Sequence, residues 1–213
     1  MKALNLLVHD LRAPLSVAQG YLRMLQQNRL DAEPDRQRAI TQSMDALGRI
    51  SRFCDDAVAF VTETDPSEGP VSTLQAATLV EQVSAACVER GASLTFSVAS
   101  ESMSGMVRAV HLDRVVQSVA VILVAARRST RNETVRVSVL EEGKEARFLL
   151  GCDEDRAALA SRCAEVFDPW HGGHGIALPL ACRIVTDAGG RIWTCANARG
   201  AVGIALPEEA SPA

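Results

Sequence analysis

Aromatic side chains are scarce in this chain, at 4% of its 213 residues, although 47% of the residues are hydrophobic. Val, Leu, Ile and Ala must therefore be the packing material of any core. There is no excess of basic charge: 22 Lys and Arg stand against 26 Asp and Glu, a formal net charge of −4. That balance argues against a general nucleic-acid binder, because a phosphate backbone is met by a basic face. No apolar run reaches the roughly 20 residues that a membrane span requires. The opening Met1-Lys2-Ala3 leads straight into an amphipathic pattern, without the apolar stretch and cleavage site of a signal peptide. The six cysteines (Cys54, Cys87, Cys152, Cys163, Cys182 and Cys195) form no Cys-x-x-Cys pair and mostly lie among apolar residues. They read as small buried hydrophobes in a reducing compartment, and the expected location is cytoplasmic. His171 and His174 bracket a glycine pair, but no Cys or carboxylate stands nearby at ligand spacing, so no metal site is expected. The chain also has no internal repeat.

What is present falls into two parts. In residues 1–64, Leu4, Leu7, Leu11, Leu15, Ala18, Leu22 and Leu25 recur at steps of three and four, the stripe of a helix packed in a bundle. Asp31-Ala32-Glu33-Pro34 turns the chain, and Pro34 suits the first turn of a second helix. Ile40, Met44, Leu47, Ile50, Cys54, Ala57 and Val61 repeat the stripe there. Two helices bury only one stripe each against the other, so a second copy is expected to complete a dimeric four-helix bundle.

Residues 65–72, with Asp65-Pro66 and Gly69-Pro70, read as a linker. Across 73–213 the pattern predicts helices near 74–90, 112–128, 156–166 and 176–188. Strands are expected near 94–98, 135–139, 146–150, 192 and 204, with a frayed tail after Pro207. Interleaved helices and hairpins point to a two-layer α/β sandwich, and the whole chain to an α+β protein.

The most informative segment is Val8-His9-Asp10-Leu11-Arg12-Ala13-Pro14-Leu15. Helical geometry sets His9 about 200° around from Leu7 and from Leu11, away from the apolar stripe. A solvent-facing imidazole is largely neutral at cellular pH and is available as a nucleophile. Asp10 can orient the ring or accept its proton, and Arg12 offers positive charge to a phosphoryl oxygen. Pro14 interrupts the helical ladder just after the histidine, at a cost that often marks functional geometry.

His9-Asp10-Leu11-Arg12-Ala13-Pro14-Leu15 resembles the H box of sensor histidine kinases, on a helix followed by a turn and a second helix. The resemblance implies that His9 is the phosphoacceptor and that the two helices form the dimerisation and phosphotransfer domain. It also implies that receiver domains dock beside Val8, Arg12 and Ser16. Ala13 departs from the family's Thr or Asn, which puts phosphatase activity in doubt.

The second part resembles the family's ATPase domain, the Bergerat-type sandwich shared with gyrase and Hsp90-type chaperones. Arg114, Gln117 and Thr130 fall around its N box, Glu165-Val166-Phe167-Asp168-Pro169-Trp170 looks like its F box, and Gly173-His174-Gly175-Ile176 looks like its last glycine box. The residues that would hold a nucleotide are mostly replaced. Val121 and Ala125 align with the two asparagines and cannot ligate a hard cation, and Arg128 stands for the lysine. Asp153 is the candidate relic of the adenine-binding acid, but no glycine follows it in Asp153-Glu154-Asp155-Arg156. The segment between Trp170 and Gly173 is too short to close over phosphates. Gly173 and Gly175 then read as a tight turn into a helix.

ATP binding is therefore not expected. The expectation is a histidine phosphotransferase that relays phosphoryl groups between receiver domains of response regulators or a hybrid kinase. The receiver would supply the Mg²⁺. The alternatives are a kinase fragment with a divergent ATP site and a non-enzymatic scaffold that binds receivers.

Overall fold

The computed structural model describes residues 2–30, 32–62, 69–98, 105–130, 135–161, 165–170, 175–195 and 200–209. Contacts divide the chain into two compact units, 1–63 with 173–177, and 64–172 with 178–213.

The first unit is built on two long helices, α1 (Lys2–Gln26) and α2 (Glu33–Val61). Asn28 ends α1 in the left-handed conformation, with φ 51°. Its N–H donates to Leu25 O and that of Arg29 to Met24 O, so two otherwise orphaned carbonyls are satisfied. Glu33 and Asp35 lie in the first turn of α2 beside Pro34, where acidic side chains favour the helix dipole and proline loses no hydrogen bond.

The line buried between the two helices is made of small residues: Pro14 and Ala18 on α1, Ala39, Ser43 and Ala46 on α2. Ser43 Oγ donates back to Ala39 O at 2.8 Å, which satisfies its hydroxyl without a partner across the interface. Small side chains let two helices approach closely. Of the larger members of the stripes, Leu15, Leu22, Ile40, Met44 and Leu47 face solvent in the single chain, while Leu7, Leu11, Leu25 and Ile50 are half-buried.

The second unit holds β1 (Val71–Gln75), α3 (Ala76–Glu89), β2 (Thr95–Val98), β3 (Met106–Val110), α4 (Leu112–Ser129), β4 (Arg136–Glu141), β5 (Glu145–Gly151), α5 (Asp153–Ala160), β6 (Glu165–Val166), α6 (Ala177–Asp187), β7 (Arg191–Thr194) and β8 (Val202–Glu209). The strands form one mixed sheet in the order β1-β3-β8-β5-β4-β2, with β7 also paired to β8 and β6 to β7. Only β2 and β4 run parallel among these pairs.

Alternation along β5 and β8 separates two cores, as a period of two requires. Ala146, Phe148, Leu150, Val202, Ile204 and Leu206 join the large cluster beneath α3, α4 and α6. Leu149, Ala201 and Ala205 join a smaller one with Leu159 of α5, Trp193 and Cys195. Trp193 Nε1 donates to Leu159 O at 2.9 Å, so the indole is satisfied where it is buried.

Several expectations from the sequence are corrected here. Residues 71 and 72 belong to β1, paired with Val110 and Ala109, rather than to a linker. β3 lies in a stretch for which no strand was expected. The helix expected over 156–166 runs instead from Asp153 to Ala160. Cys152 at its N-cap and Asp155 form a reciprocal capping pair that fixes the start, and Glu165 and Val166 pair with β7. β8 continues past Pro207, and Glu208 N–H donates to Lys144 O at 2.8 Å.

Candidate functional site

His9 occupies the third turn of α1 with its side chain 81% exposed, whereas the neighbouring Asp10 side chain is only 12% exposed. The helical turn brings His9 Nδ1 within 2.9 Å of Asp10 Oδ1. An ionised carboxylate can only accept, so Nδ1 carries the proton and Nε2 keeps its lone pair, directed to solvent. That is the tautomer a nucleophilic imidazole needs when Nε2 is to attack. Among the described residues Asp10 Oδ2 is buried without a hydrogen-bond partner, and the carboxylate meets the histidine through Oδ1.

Val8, Arg12 and Ser16 are all exposed. Spaced by four, they form a row along α1 beside His9. Arg12 places a guanidinium one turn beyond the imidazole, within the same solvent-facing strip. Ala13 is exposed too and offers no polar atom beyond its backbone.

The positions that the resemblance aligns with nucleotide-binding residues lie on α4 and at the start of α5. Val121 is half-buried against the main core, and Ala125 is buried within it at 3% exposure. Neither brings an oxygen to a cation. Arg128 is exposed near the end of α4, and its Nη2 donates to Arg90 O at 3.4 Å. Asp153 opens α5 as an exposed acid paired with Arg156. Gly173 lies outside the described residues, as do His171, His174 and Cys163. His111 enters α4 in the left-handed conformation (φ 52°), and its N–H donates to Pro70 O at 3.1 Å. Among the described residues no cluster of His, Cys, Asp or Glu has the makings of a metal site.

Of the described cysteines, Cys87 and Cys195 are buried, Cys152 and Cys182 half-buried, and Cys54 exposed. Burial pushes the Cys87 thiol up to about 11 and the Cys182 thiol up to about 12, which makes both inert as nucleophiles near neutral pH. Cys54 is the exception to the reading of buried hydrophobes.

One neighbour of the site was not legible in the sequence. Gly175, with φ +67°, belongs to the first unit and stands against Asp10 and Phe53 of α2. Its separation from Asp10 along the chain leaves no local pattern that could have announced the contact.

No protein-family model matches the sequence, and no curated protein matches it. Solved structures do. The histidine kinase AdeS of Acinetobacter baumannii is 15% identical over 95% of this chain and 98% of its own, with a TM-score of 0.65. Histidine kinase ThkA, solved in complex with response regulator protein TrrA, is 16% identical over 95% of this chain and 60% of its own, with a TM-score of 0.60. Full-length ShkA, solved in complex with AMPPNP, is 18% identical over 100% of this chain and 48% of its own, with a TM-score of 0.54. At such identities the likeness is one of fold. A helical hairpin followed by a curled sheet carrying helices is the fold of the phosphotransfer and catalytic ATPase domains of histidine kinases.

Proposed function

We propose that this chain is a histidine phosphotransferase that relays phosphoryl groups between receiver domains through His9. The observation that carries the reading is the pairing of a solvent-exposed imidazole with a largely buried carboxylate at 2.9 Å, on a helix of a kinase-like hairpin.

In the forward step the Nε2 lone pair of neutral His9 attacks the phosphorus of a receiver's aspartyl phosphate in line. The N–P bond forms as the P–O bond to the aspartate breaks, and the aspartate leaves as a free carboxylate. The ring becomes an N-phosphoimidazolium whose Nδ1–H points at Asp10, so the charge that develops is met by an acid already in place. Passing the phosphoryl to a second receiver reverses these steps. Arg12 lies where a guanidinium can meet a phosphoryl oxygen, and Val8, Arg12 and Ser16 offer a contact row to the docking receiver. The Mg²⁺ comes with the receiver, and the carrier itself needs no nucleotide.

The apolar side chains exposed on the hairpin, Leu15, Leu22, Ile40, Met44, Leu47 and Val61 among them, support a homodimer in which a second copy covers them. Among the described residues no helix is long and apolar enough to cross a membrane.

A second reading is an ATP-dependent histidine kinase fragment with a divergent nucleotide site. AdeS and ThkA, histidine kinases whose fold this chain shares over 95% of its length, favour it over a relay. Val121 and Ala125 speak against it, because they leave no side-chain oxygen for the cation on α4. Two measurements decide. Incubation with a ³²P-labelled receiver domain is expected to label the chain, and His9→Ala to abolish the label. Calorimetry with Mg²⁺-ATP is expected to show no binding. Micromolar affinity together with ATP-dependent labelling of His9 would establish the kinase and end the relay reading.

A further inference from the structure

Gly175 has a glycine's backbone, and its surroundings connect it to the chemistry. A β-carbon built on it would lie 2.9 Å from Asp10 Oδ2 and 3.3 Å from Phe53 Cε1. The first distance is shorter than real β-carbon contacts allow, so the carboxylate would have to move. It has little room to do so: the Asp10 side chain is 12% exposed, and Oδ2 is buried, with no hydrogen-bond partner among the described residues.

The two oxygens of Asp10 are thus held in different ways. Oδ1 takes the proton-bearing Nδ1 of His9 at 2.9 Å. Oδ2 is buried beside Gly175 with no room for a β-carbon between them, and it has no hydrogen-bond partner among the described residues. A carboxylate free to rotate would sample other χ angles and release the ring part of the time. One whose second oxygen is buried in a closely packed place keeps the first on Nδ1, and with it the tautomer that leaves Nε2 unprotonated.

We propose that Gly175 is a positioning residue for His9: its missing side chain allows the 175–177 backbone to close on Asp10 and lock the carboxylate against Nδ1. The assignment rests on the reading of His9 as the phosphoacceptor. It is distinct from a turn requirement alone, because Gly91 (φ +73°) and Gly189 (φ +79°) are equally left-handed and approach no such group.

The test is the tautomeric state of the His9 ring in the full-length protein, read from long-range ¹H–¹⁵N correlations with ¹⁵N-histidine at about pH 8, where imidazole is neutral. His9 is identified among the four histidines by its loss in His9→Gln. The wild type is expected to show a protonated Nδ1 and a bare Nε2. Gly175→Ala should shift both nitrogens toward the average of an unpartnered imidazole. Gly175→Asn, which tolerates left-handed backbone but adds the β-carbon, should do the same. Gly91→Ala, which carries only the backbone cost, should leave His9 unchanged. Asp10→Ala should produce the same shift and remove any further effect of Gly175→Ala.

A folded Gly175 variant with a wild-type His9 spectrum overturns the proposal, as does an undiminished effect of Gly175→Ala in the Asp10→Ala background. If neither glycine variant folds, Asp10→Ala decides: an unchanged His9 spectrum overturns the proposal, and a shifted one supports it. The tautomer is read without any receiver, so a failure of phosphoryl transfer would count against the relay and leave the positioning role standing.

Discussion

Replacing Asp10 by alanine isolates the contribution of the acid beside the proposed phosphoacceptor. In the resting protein the Nδ1–Oδ1 contact of 2.9 Å joins an exposed ring to a carboxylate that is 12% exposed. Hydrogen bonds to charged groups contribute about 1.5–3 kcal/mol. As Nε2 bonds to phosphorus the ring becomes cationic, so this bond strengthens toward the transition state. Its loss should therefore appear in the rate more than in receiver binding. A barrier raised by about 1.4–2.7 kcal/mol slows transfer about 10- to 100-fold. Asp10→Asn keeps an acceptor of the same shape without the charge and should fall between wild type and alanine. The assay is rapid-quench transfer from a ³²P-labelled receiver at saturating receiver, with His9→Ala as the zero. Transfer by Asp10→Ala within twofold of wild type, with His9→Ala inactive, would refute the reasoning: the carboxylate would then have no part in the step.

Other consequences test the scaffold. Leu22 is 50% exposed on α1, so Leu22→Asp should leave the single chain folded and give the monomer mass in light scattering, where wild type is expected to give that of the proposed dimer; an unchanged mass would remove Leu22 from the proposed contact. Phe148 is fully buried at the centre of β5, and Phe148→Ala should cost about 3–5 kcal/mol of unfolding free energy, read as a lowered urea midpoint. Burial, and secondarily the charge of Glu141, raises the Glu208 carboxyl above its ordinary range, and Oε1 is buried without a hydrogen-bond partner among the described residues. A carboxyl raised on folding contributes stability at low pH that is lost as pH rises through its folded value. Glu208→Gln should therefore stabilise by about 1 kcal/mol at about pH 7 and lose that advantage below about pH 4. Equal melting shifts at both pH values would show that charge is not the cause.

The long elements were legible because their signals are local and long. Two helical stripes with Pro34 at the second start predict α1 and α2, and the Val135, Val137, Val139 alternation followed by Gly143 predicts the β4–β5 hairpin. What was missed is short or depends on distant partners. β1 is almost wholly exposed and carries no alternating burial, and it is a strand because Val71–Gln75 find β3. Val107 and Ala109 of β3 do alternate, but over too few residues to stand out. The end of α5 was overrun because Val166 extends a helical spacing that its pairing with Trp193 overrides.

The site divides in the same way. The outward direction of His9, the neighbouring acid and the row of Val8, Arg12 and Ser16 follow from helical geometry, which repeats every few residues and needs no knowledge of the rest of the chain. The apolar Val121 and Ala125 likewise exclude side-chain oxygen at their positions by chemistry alone. Tertiary structure alone decided that one Asp10 oxygen is buried and the other bonded, and that the fully buried positions of α1 and α2 fall on small residues. It also decided that Gly175 stands beside a carboxylate far away along the chain. Burial and close approach are properties of pairs of surfaces, and a pattern within one segment cannot say which surface it will meet.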